Sequence, residues 1–176
     1  LEAGRYVLYV SRLEPENNAD VVIDAYARVR TELPLAIVGD APYANEYVAR
    51  LHSTTDPRVR FLGAIYGDGY RVLSSHAGVY VQATEVGGTH PALVEAMGFG
   101  NAIIANDVPE HRETLGEAGR FYRGPEVLAR ELQAVLDVPD AARELALRAH
   151  ERAAALYGWD AIADAYDVWL TGLIGR

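Results

Sequence analysis

The sequence predicts an α/β domain with a doubly wound parallel sheet of about six strands and a helical C-terminal tail. Short runs rich in β-branched residues alternate with longer helical patterns, and right-handed βαβ crossovers between such runs give a parallel sheet. Most of the strand runs are continuously apolar rather than alternating, as expected when helices cover both faces of a sheet. The last third of the chain carries helical patterns alone, which predicts the tail.

Six strand candidates follow one another along the chain, each bounded by turn residues. They are Tyr6–Ser11, Leu35–Gly39, Val59–Leu62, Gly78–Gln82, Ala102–Ala105 and Gly119–Tyr122. The helices predicted between and after them are Asn18–Glu32, Ala44–Thr54, Asp68–Ser75, Pro91–Gly98, Pro109–Leu115, Glu126–Leu136, Asp140–Leu156 and Asp160–Leu173. The turn clusters are spaced like connections between strands and helices, so the sequence predicts one domain over residues 1–176.

Composition excludes several chemistries. The chain has no Cys, which rules out disulfides, thiolate catalysis and zinc–thiolate sites. Its 16 basic residues are all Arg, so no Walker A lysine or Schiff-base lysine is available. The net charge of −9 argues against broad electrostatic binding to nucleic acid or to an anionic membrane. The five His are dispersed without metal-ligand spacing, and most of them are expected in solvent or as helix caps, so neither a metal nor another cofactor is expected.

The chain begins at Leu1 and reaches its first strand run at Tyr6, which suggests a piece of a longer protein. It shows neither a signal-peptide pattern nor an apolar run approaching the roughly 18 residues of a membrane span. A cytoplasmic location is the expectation.

Ligands of doubly wound sheets bind outside the carboxyl ends of the strands, so the segments after each strand are the candidate sites. After the first strand, the planar guanidinium of Arg12 suits phosphate oxygens, although an ion pair with Glu14 or Glu16 is the alternative. Asn18 is expected to cap the first helix rather than to contact a ligand.

The ends of the second and third strands offer weaker signals. Gly39 and Asp40 allow either close approach to a ligand or an ordinary turn with a hydrogen bond to the Asp40 side chain. Backbone groups of the segment 63–65 could meet a base edge while Tyr66 stacks on it. A half-buried Tyr66 is the alternative.

The strongest segment follows the fourth strand. Gly87 and Gly88 remove side chains, and Thr89 or His90 can cap a helix that begins at Pro91. Free amides and the positive end of the helix dipole at such a start form an anion site that needs no Lys. One turn further on, the carboxylate of Glu95 could accept hydrogen bonds from a diol such as ribose.

These motifs together resemble the carboxyl-terminal, donor-binding domain of the retaining GT-B glycosyltransferases of family 4, also called group 1. The resemblance covers essentially the whole chain and implies one Rossmann-like half of the GT-B fold. The segments that carry it are Arg12–Leu13, Pro15–Asn18, Val38–Pro42, Val59–Gly63, Pro91–Gly98, Ala105–Glu110 and Tyr157–Trp159. In that fold the last helix crosses back onto the amino-terminal domain.

The resemblance implies that Glu95 holds the donor's ribose, that Gly88, Thr89 and His90 line its diphosphate, and that the segment 63–65 meets its base. The residues expected to bind the nucleotide sugar are Arg12, Asn17, Gly39, Asp40, Gly63, Ala64, Ile65, Tyr66, Glu85, Gly87, Gly88, Thr89, His90, Pro91, Leu93 and Glu95.

Two positions depart from the family pattern. Gly87 stands where the first Glu of the family's Glu-x7-Glu motif is expected, and the nearest carboxylate is Glu85. Asn17 stands where the family has a phosphate-binding Lys. Both departures are similar to a subgroup associated with rhamnosyl transfer.

The implied activity is transfer of a hexosyl or rhamnosyl group from a dTDP-, UDP- or GDP-linked sugar with retained anomeric configuration, in cell-surface polysaccharide biosynthesis. The catalytic residues and the acceptor site are expected in an amino-terminal domain outside residues 1–176, with peripheral membrane association of the full-length enzyme. This domain alone is then expected to bind nucleotide without turnover. The alternatives are a nucleotide-sugar epimerase of the same architecture and a non-catalytic nucleotide-sensing or protein-interaction domain.

Overall fold

The computed structural model describes residues 1–174 and contains one parallel sheet. Its six strands are paired in the order β3-β2-β1-β4-β5-β6, and every pairing is parallel. The strands are β1 (Val7–Val10), β2 (Leu35–Val38), β3 (Val59–Phe61), β4 (Val79–Gln82), β5 (Ala102–Asn106) and β6 (Arg120–Tyr122). The predicted fold class is therefore confirmed.

Helices connect successive strands and form the carboxyl-terminal third of the chain. They are α1 (Ala19–Tyr26), α2 (Asn45–His52), α3 (Gly67–Ser75), α4 (Pro91–Gly98), α5 (Pro109–Leu115), α6 (Pro125–Asp137), α7 (Pro139–Leu156) and α8 (Trp159–Ile174). A single 3-10 turn at Pro15–Asn17 precedes α1. Two helices of the predicted tail belong to the core, because α6 packs against α1 and α7 packs against α4 and β5.

Two buried apolar clusters cover the opposite faces of the sheet. On β1, Val7 and Tyr9 belong to one cluster, and Leu8 belongs to the other. Both faces of the strand are thus removed from water, which is the physical reason why its sequence is continuously apolar.

The first helix is shorter than predicted, because it ends at Tyr26 rather than at Glu32. Arg58 explains the early end. Its guanidinium donates to the carbonyl oxygens of Tyr26, Val29 and Thr31 at 3.0, 2.7 and 2.9 Å. In a longer helix these carbonyls would accept hydrogen bonds from helix amides. Here they accept hydrogen bonds from the side chain of Arg58, which directly precedes β3.

The prediction that the Asn18 side chain caps α1 is wrong. Asn18 precedes the helix, but its backbone is left-handed, with φ 55°, and its side chain makes no capping hydrogen bond. The amide instead donates to the carbonyl oxygen of Ala83 at 3.0 Å. Asn18 therefore links the loop after β1 to the loop after β4.

The last helix, α8, is exposed along its length. Its large apolar side chains include Trp159 and Trp169, which are 83% and 61% exposed, and also Val168 and Leu173. Within residues 1–174, no helix is both long and apolar enough to span a bilayer.

Candidate functional site

A cavity of about 250 Å³ opens at the carboxyl ends of β1, β2 and β4, beside the loop after β3. The sheet order reverses direction between β1 and β4, which makes this the topological switch point where doubly wound domains bind ligands. The cavity is lined by Val10, Ser11, Arg12, Val38, Gly39, Asp40, Ala64, Ile65, Tyr66, Gln82, Thr84, His90, Pro91 and Ala92.

The loops after the first three strands are tied together by backbone hydrogen bonds. The Ser11 amide donates to the Val38 carbonyl at 3.1 Å, and the Gly39 amide donates to the Gly63 carbonyl at 2.9 Å. Asp40 accepts a hydrogen bond from the amide of Ala41 at 2.7 Å, which is a turn contact of the kind considered from the sequence. These bonds fix the β1 and β2 sides of the cavity as one unit.

Arg12 lies at the mouth of the cavity with its side chain 70% exposed. It pairs with Glu14, whose carboxylate is 3.1 Å from the guanidinium and also accepts a hydrogen bond from the Tyr43 hydroxyl at 2.6 Å. The two interpretations of Arg12 are therefore compatible: in this structure it makes the surface ion pair and still lines the cavity.

Asn17 does not line the cavity but holds the loop that carries Arg12. The side chain is buried, and its amide donates to the Arg12 carbonyl at 2.8 Å. At the position where the family has a Lys, this chain thus has a neutral residue that orders the backbone of the arginine loop.

The start of α4 presents backbone amides rather than a side-chain cap. His90 occupies the N-cap position, one of the two considered from the sequence, but within residues 1–174 its side chain makes no capping hydrogen bond. The amides of Leu93 and Val94 both bond the His90 carbonyl. Within residues 1–174, four other amides at this helix start have no backbone partner: those of Gly88, Thr89, His90 and Ala92.

Gly87 lies against the imidazole of His90. A β-carbon at Gly87 would stand 2.7 Å from Cε1 of that ring, and the backbone φ is +140°. A β-carbon at Gly88 would meet nothing within 4 Å. The positive φ favours glycine at position 87, where a side chain would also displace the His90 ring, whereas Gly88 leaves open space beside the free amides.

Behind His90 lies a second imidazole, His111, whose ring centroid is 5.2 Å away. His111 is fully buried, whereas His52, His76 and His150 are exposed, as expected for most of the His residues. One ring nitrogen, Nδ1, donates to the Asn106 carbonyl at 2.9 Å, and Nε2 has no hydrogen-bond partner among residues 1–174. Burial lowers the pKa of both His90 and His111, so both rings are neutral at pH 7.

A chain of polar side chains ends β4 at the floor of the cavity, and the sequence analysis missed it. Tyr80 donates to Gln82 at 3.1 Å, and Gln82 donates to Thr84 at 2.9 Å. All three side chains are buried. The available signal was a Gln and a Thr at the end of an otherwise apolar strand, since buried polar groups need partners.

Half of the residues predicted from the sequence lie outside the cavity lining. Leu93 is fully buried in the core, and Glu95 is exposed on α4, where its Oε2 accepts a hydrogen bond from the Tyr70 hydroxyl at 2.6 Å. Tyr66 does line the cavity and is 84% exposed, so the half-buried alternative is wrong. The others outside the lining are Asn17, Gly63, Glu85, Gly87, Gly88 and Thr89.

The residues that the structure describes contain no group of three or more His, Asp or Glu arranged to hold a metal ion.

A parallel sheet in this strand order, with a cavity at its switch point, is the architecture in which doubly wound α/β domains bind nucleotides. Residues 4–138 match the family model described as glycosyl transferases group 1. The chain belongs to that family, which confirms the resemblance seen in the sequence.

Known proteins are similar to this chain in sequence or in fold. The phosphatidyl-myo-inositol mannosyltransferase of Mycobacterium tuberculosis is 34% identical and aligns with 91% of this chain and 45% of its own length. The crystal structure of HepE from Anabaena in complex with UDP-glucose superposes with a TM-score of 0.87 at 21% identity, over 96% of this chain and 49% of HepE. The carboxyl-terminal domain of the group 1 glycosyltransferase LpcC from Francisella tularensis gives a TM-score of 0.79 at 16% identity, over 89% of this chain and 88% of that domain. The chain therefore spans about half the length of the curated relatives it matches.

Proposed function

We propose that this domain binds the nucleotide diphosphate sugar donor of a retaining hexosyltransferase. The observation that carries the proposal is that Arg12 and the amides at the start of α4 border one cavity at the switch point of the sheet. A guanidinium and free helix-start amides are complementary to a diphosphate.

The same groups would promote the reaction itself. When the bond between sugar and diphosphate breaks, negative charge develops on the departing diphosphate, and preorganised donors stabilise that charge. With Asn17 and Gly87 in place of the family's Lys and Glu, Arg12 supplies the cationic side chain and the α4 amides supply the remaining donors. The mannosyltransferase relative supports a hexose as the transferred group, and the rhamnosyl-like departures favour a 6-deoxyhexose.

The acceptor site and the catalytic residues are proposed to lie in a second domain of the full-length protein. Two observations support this: the curated relatives are about twice as long as this chain, and α8 exposes apolar side chains that a second domain would cover. The isolated domain is then expected to bind donor without transferring sugar.

A thermal-shift panel of UDP, GDP, dTDP and ADP tests the proposal on the purified domain. A ligand at about 100 times its Kd stabilises the folded state by roughly 2.7 kcal/mol. For a chain of this size that corresponds to a rise in Tm of about 5–10 °C. We expect one or two of these nucleotides to give such a shift, with Arg12→Gln reducing it. A panel in which none of the four raises the Tm at millimolar concentration contradicts the proposed function.

A further inference from the structure

The polar chain at the end of β4 points to a further ligand-binding residue, an inference that rests on the proposed function. Tyr80 is fully buried, and its only hydrogen-bond partner within residues 1–174 is Oε1 of Gln82. Burial also raises the pKa of Tyr80 strongly, so the phenol keeps its proton. Tyr80 is therefore a hydrogen-bond donor.

This donor fixes the orientation of the Gln82 amide. With Oε1 accepting from Tyr80, the amide nitrogen Nε2 faces Thr84 and donates to its hydroxyl oxygen. In the flipped amide, Nε2 would face the Tyr80 oxygen, and the buried phenol proton would lose its acceptor, which is unfavourable for a buried donor. The observed orientation is the one that satisfies both residues.

The orientation in turn determines what Thr84 offers to the cavity. Its oxygen already accepts from Gln82, and its hydroxyl proton reaches no acceptor within the described part of the chain. The second Nε2 proton of Gln82 is likewise without a partner there. Thr84 and Gln82 both line the cavity, so the floor at β4 presents hydrogen-bond donors.

Hydrogen-bond donors and the acidic acceptor therefore lie on different sides of the cavity. Donors lie at Arg12, at the start of α4 and at Thr84, whereas the carboxylate of Asp40 lies at the end of β2. A ligand group that meets Thr84 and Gln82 must supply acceptor oxygens, and the guanidinium of Arg12 in the same cavity favours negative charge on that ligand. Phosphate oxygens meet both requirements.

We infer that the Thr84 hydroxyl donates a hydrogen bond to a phosphate oxygen of the bound donor, with Gln82 and Tyr80 as the residues that position it. Thr84 thereby adds a neutral donor to a site that has one arginine and lacks the family's Lys. Tyr80 acts through Gln82, because the hydrogen bond that it donates determines the orientation of the Gln82 amide.

Three variants test this inference. Thr84→Val keeps the shape and removes the donor, Thr84→Ser keeps the hydroxyl, and Tyr80→Phe removes the proton that orients Gln82. The affinities for UDP and GDP are measured by calorimetry, and those for uridine and guanosine by NMR titration. Melting temperatures show whether each variant is folded.

We expect Thr84→Val to weaken binding of the diphosphate about tenfold, as for the loss of one hydrogen bond to a charged group, and to change nucleoside affinity by less than about twofold. Thr84→Ser should stay within about threefold of the wild type. Tyr80→Phe should lower diphosphate affinity about threefold, again without affecting the nucleoside. A merely structural role would weaken both ligands together.

Two results would overturn the inference while the proposed function stands. One is a folded Thr84→Val domain that binds diphosphate as well as the wild type, and the other is an equal loss for diphosphate and nucleoside. If Thr84→Val does not fold, Thr84→Ala is compared with Thr84→Ser by the same ratio of affinities. A wild-type domain that binds neither diphosphate overturns the proposed function as well.

Discussion

Gly39 lies so close to Ser11 that a β-carbon on the glycine would stand 1.7 Å from the Ser11 carbonyl oxygen. The backbone φ of Gly39 is +145°, a conformation that side chains also disfavour. Because Arg12 follows Ser11 directly, this contact sets the distance between the end of β2 and the arginine loop. The site depends on the absence of a side chain here.

Gly39→Ala should therefore destabilise the domain and weaken nucleotide binding. The β-carbon would clash with the backbone of Ser11 rather than with a movable side chain. We therefore expect the free energy of unfolding to fall by about 2–3 kcal/mol, which lowers the Tm by about 5–10 °C. Gly98→Ala is the matched control, because a β-carbon there meets nothing within 4 Å and alanine is the better helix former. If the Gly39→Ala domain has the same Tm as the wild type, the loop that carries Arg12 moves to accommodate the β-carbon without measurable cost, and the prediction is wrong.

Glu14→Gln should increase the affinity for nucleoside diphosphates. Glu14 competes with the ligand for Arg12, and glutamine removes the negative charge while keeping an oxygen for Tyr43. Because the Arg12 end of this ion pair is exposed to solvent, its attraction is weak, and we expect a gain of about threefold by calorimetry at low salt. The gain should shrink as ionic strength rises. An unchanged or lower affinity would mean that Glu14 holds Arg12 in the binding position.

Glu95→Gln should weaken binding of a ribonucleoside diphosphate about 10–100-fold if the carboxylate accepts hydrogen bonds from ribose. Tyr70 occupies Oε2 of Glu95, which leaves Oε1 for the sugar. The penalty should be smaller with 2′-deoxyuridine diphosphate than with UDP, because one hydroxyl is missing. If Glu95→Gln weakens binding of both nucleotides equally, Glu95 does not bind the ribose.

The stability of the domain should fall as the pH drops below about 6.5. His111 is buried and neutral, and its lowered pKa means that the unfolded chain takes up the proton first. The stabilisation is complete above the ordinary histidine pKa and is lost as the pH falls towards the lowered value. Chemical denaturation between pH 8 and pH 5 measures this slope.

His111→Asn is the variant for that experiment, because its amide can still donate to the Asn106 carbonyl without titrating. We expect a less stable domain with a shallower pH dependence. The carboxylates with lowered pKa values, Asp56 and Asp107, act at more acidic pH and should not obscure the comparison. A slope unchanged in His111→Asn would assign the pH dependence to His90 or to other groups.

The tryptophan fluorescence of the isolated domain should resemble that of exposed indole. The chain has two Trp, and both are exposed on α8. Neither Trp lines the cavity, so nucleotide binding there should leave the emission maximum unchanged. A longer protein whose second domain covers α8 should emit at shorter wavelength. A blue-shifted spectrum from the isolated domain would show that α8 is already covered, for example by self-association.

Strands β1, β2, β4 and β5 were predictable because they are buried on both faces, and strands covered on both faces have largely continuous apolar sequences. The end of α1 could not be predicted, because it is determined by Arg58, which lies 32 residues beyond Tyr26 in the sequence. The orientation of Asn18 likewise depends on Ala83, which lies 65 residues away in sequence.

The residues of the candidate site likewise include some that could be predicted from the sequence and others that could not. Arg12 and Pro91 could be predicted because their positions after strands follow from the order of the elements. The roles of Thr84 and His111 could not, because each depends on partners that only folding brings near: Gln82 and Tyr80 for the first, and Asn106 and His90 for the second.

The position of β1 between β2 and β4 has a consequence for biogenesis. The cavity has no complete wall until that central strand is flanked on both sides, so the proposed nucleotide site cannot form on a growing polypeptide before β4 has emerged from the ribosome. On the proposed function, nucleotide would then stabilise only chains whose sheet is complete.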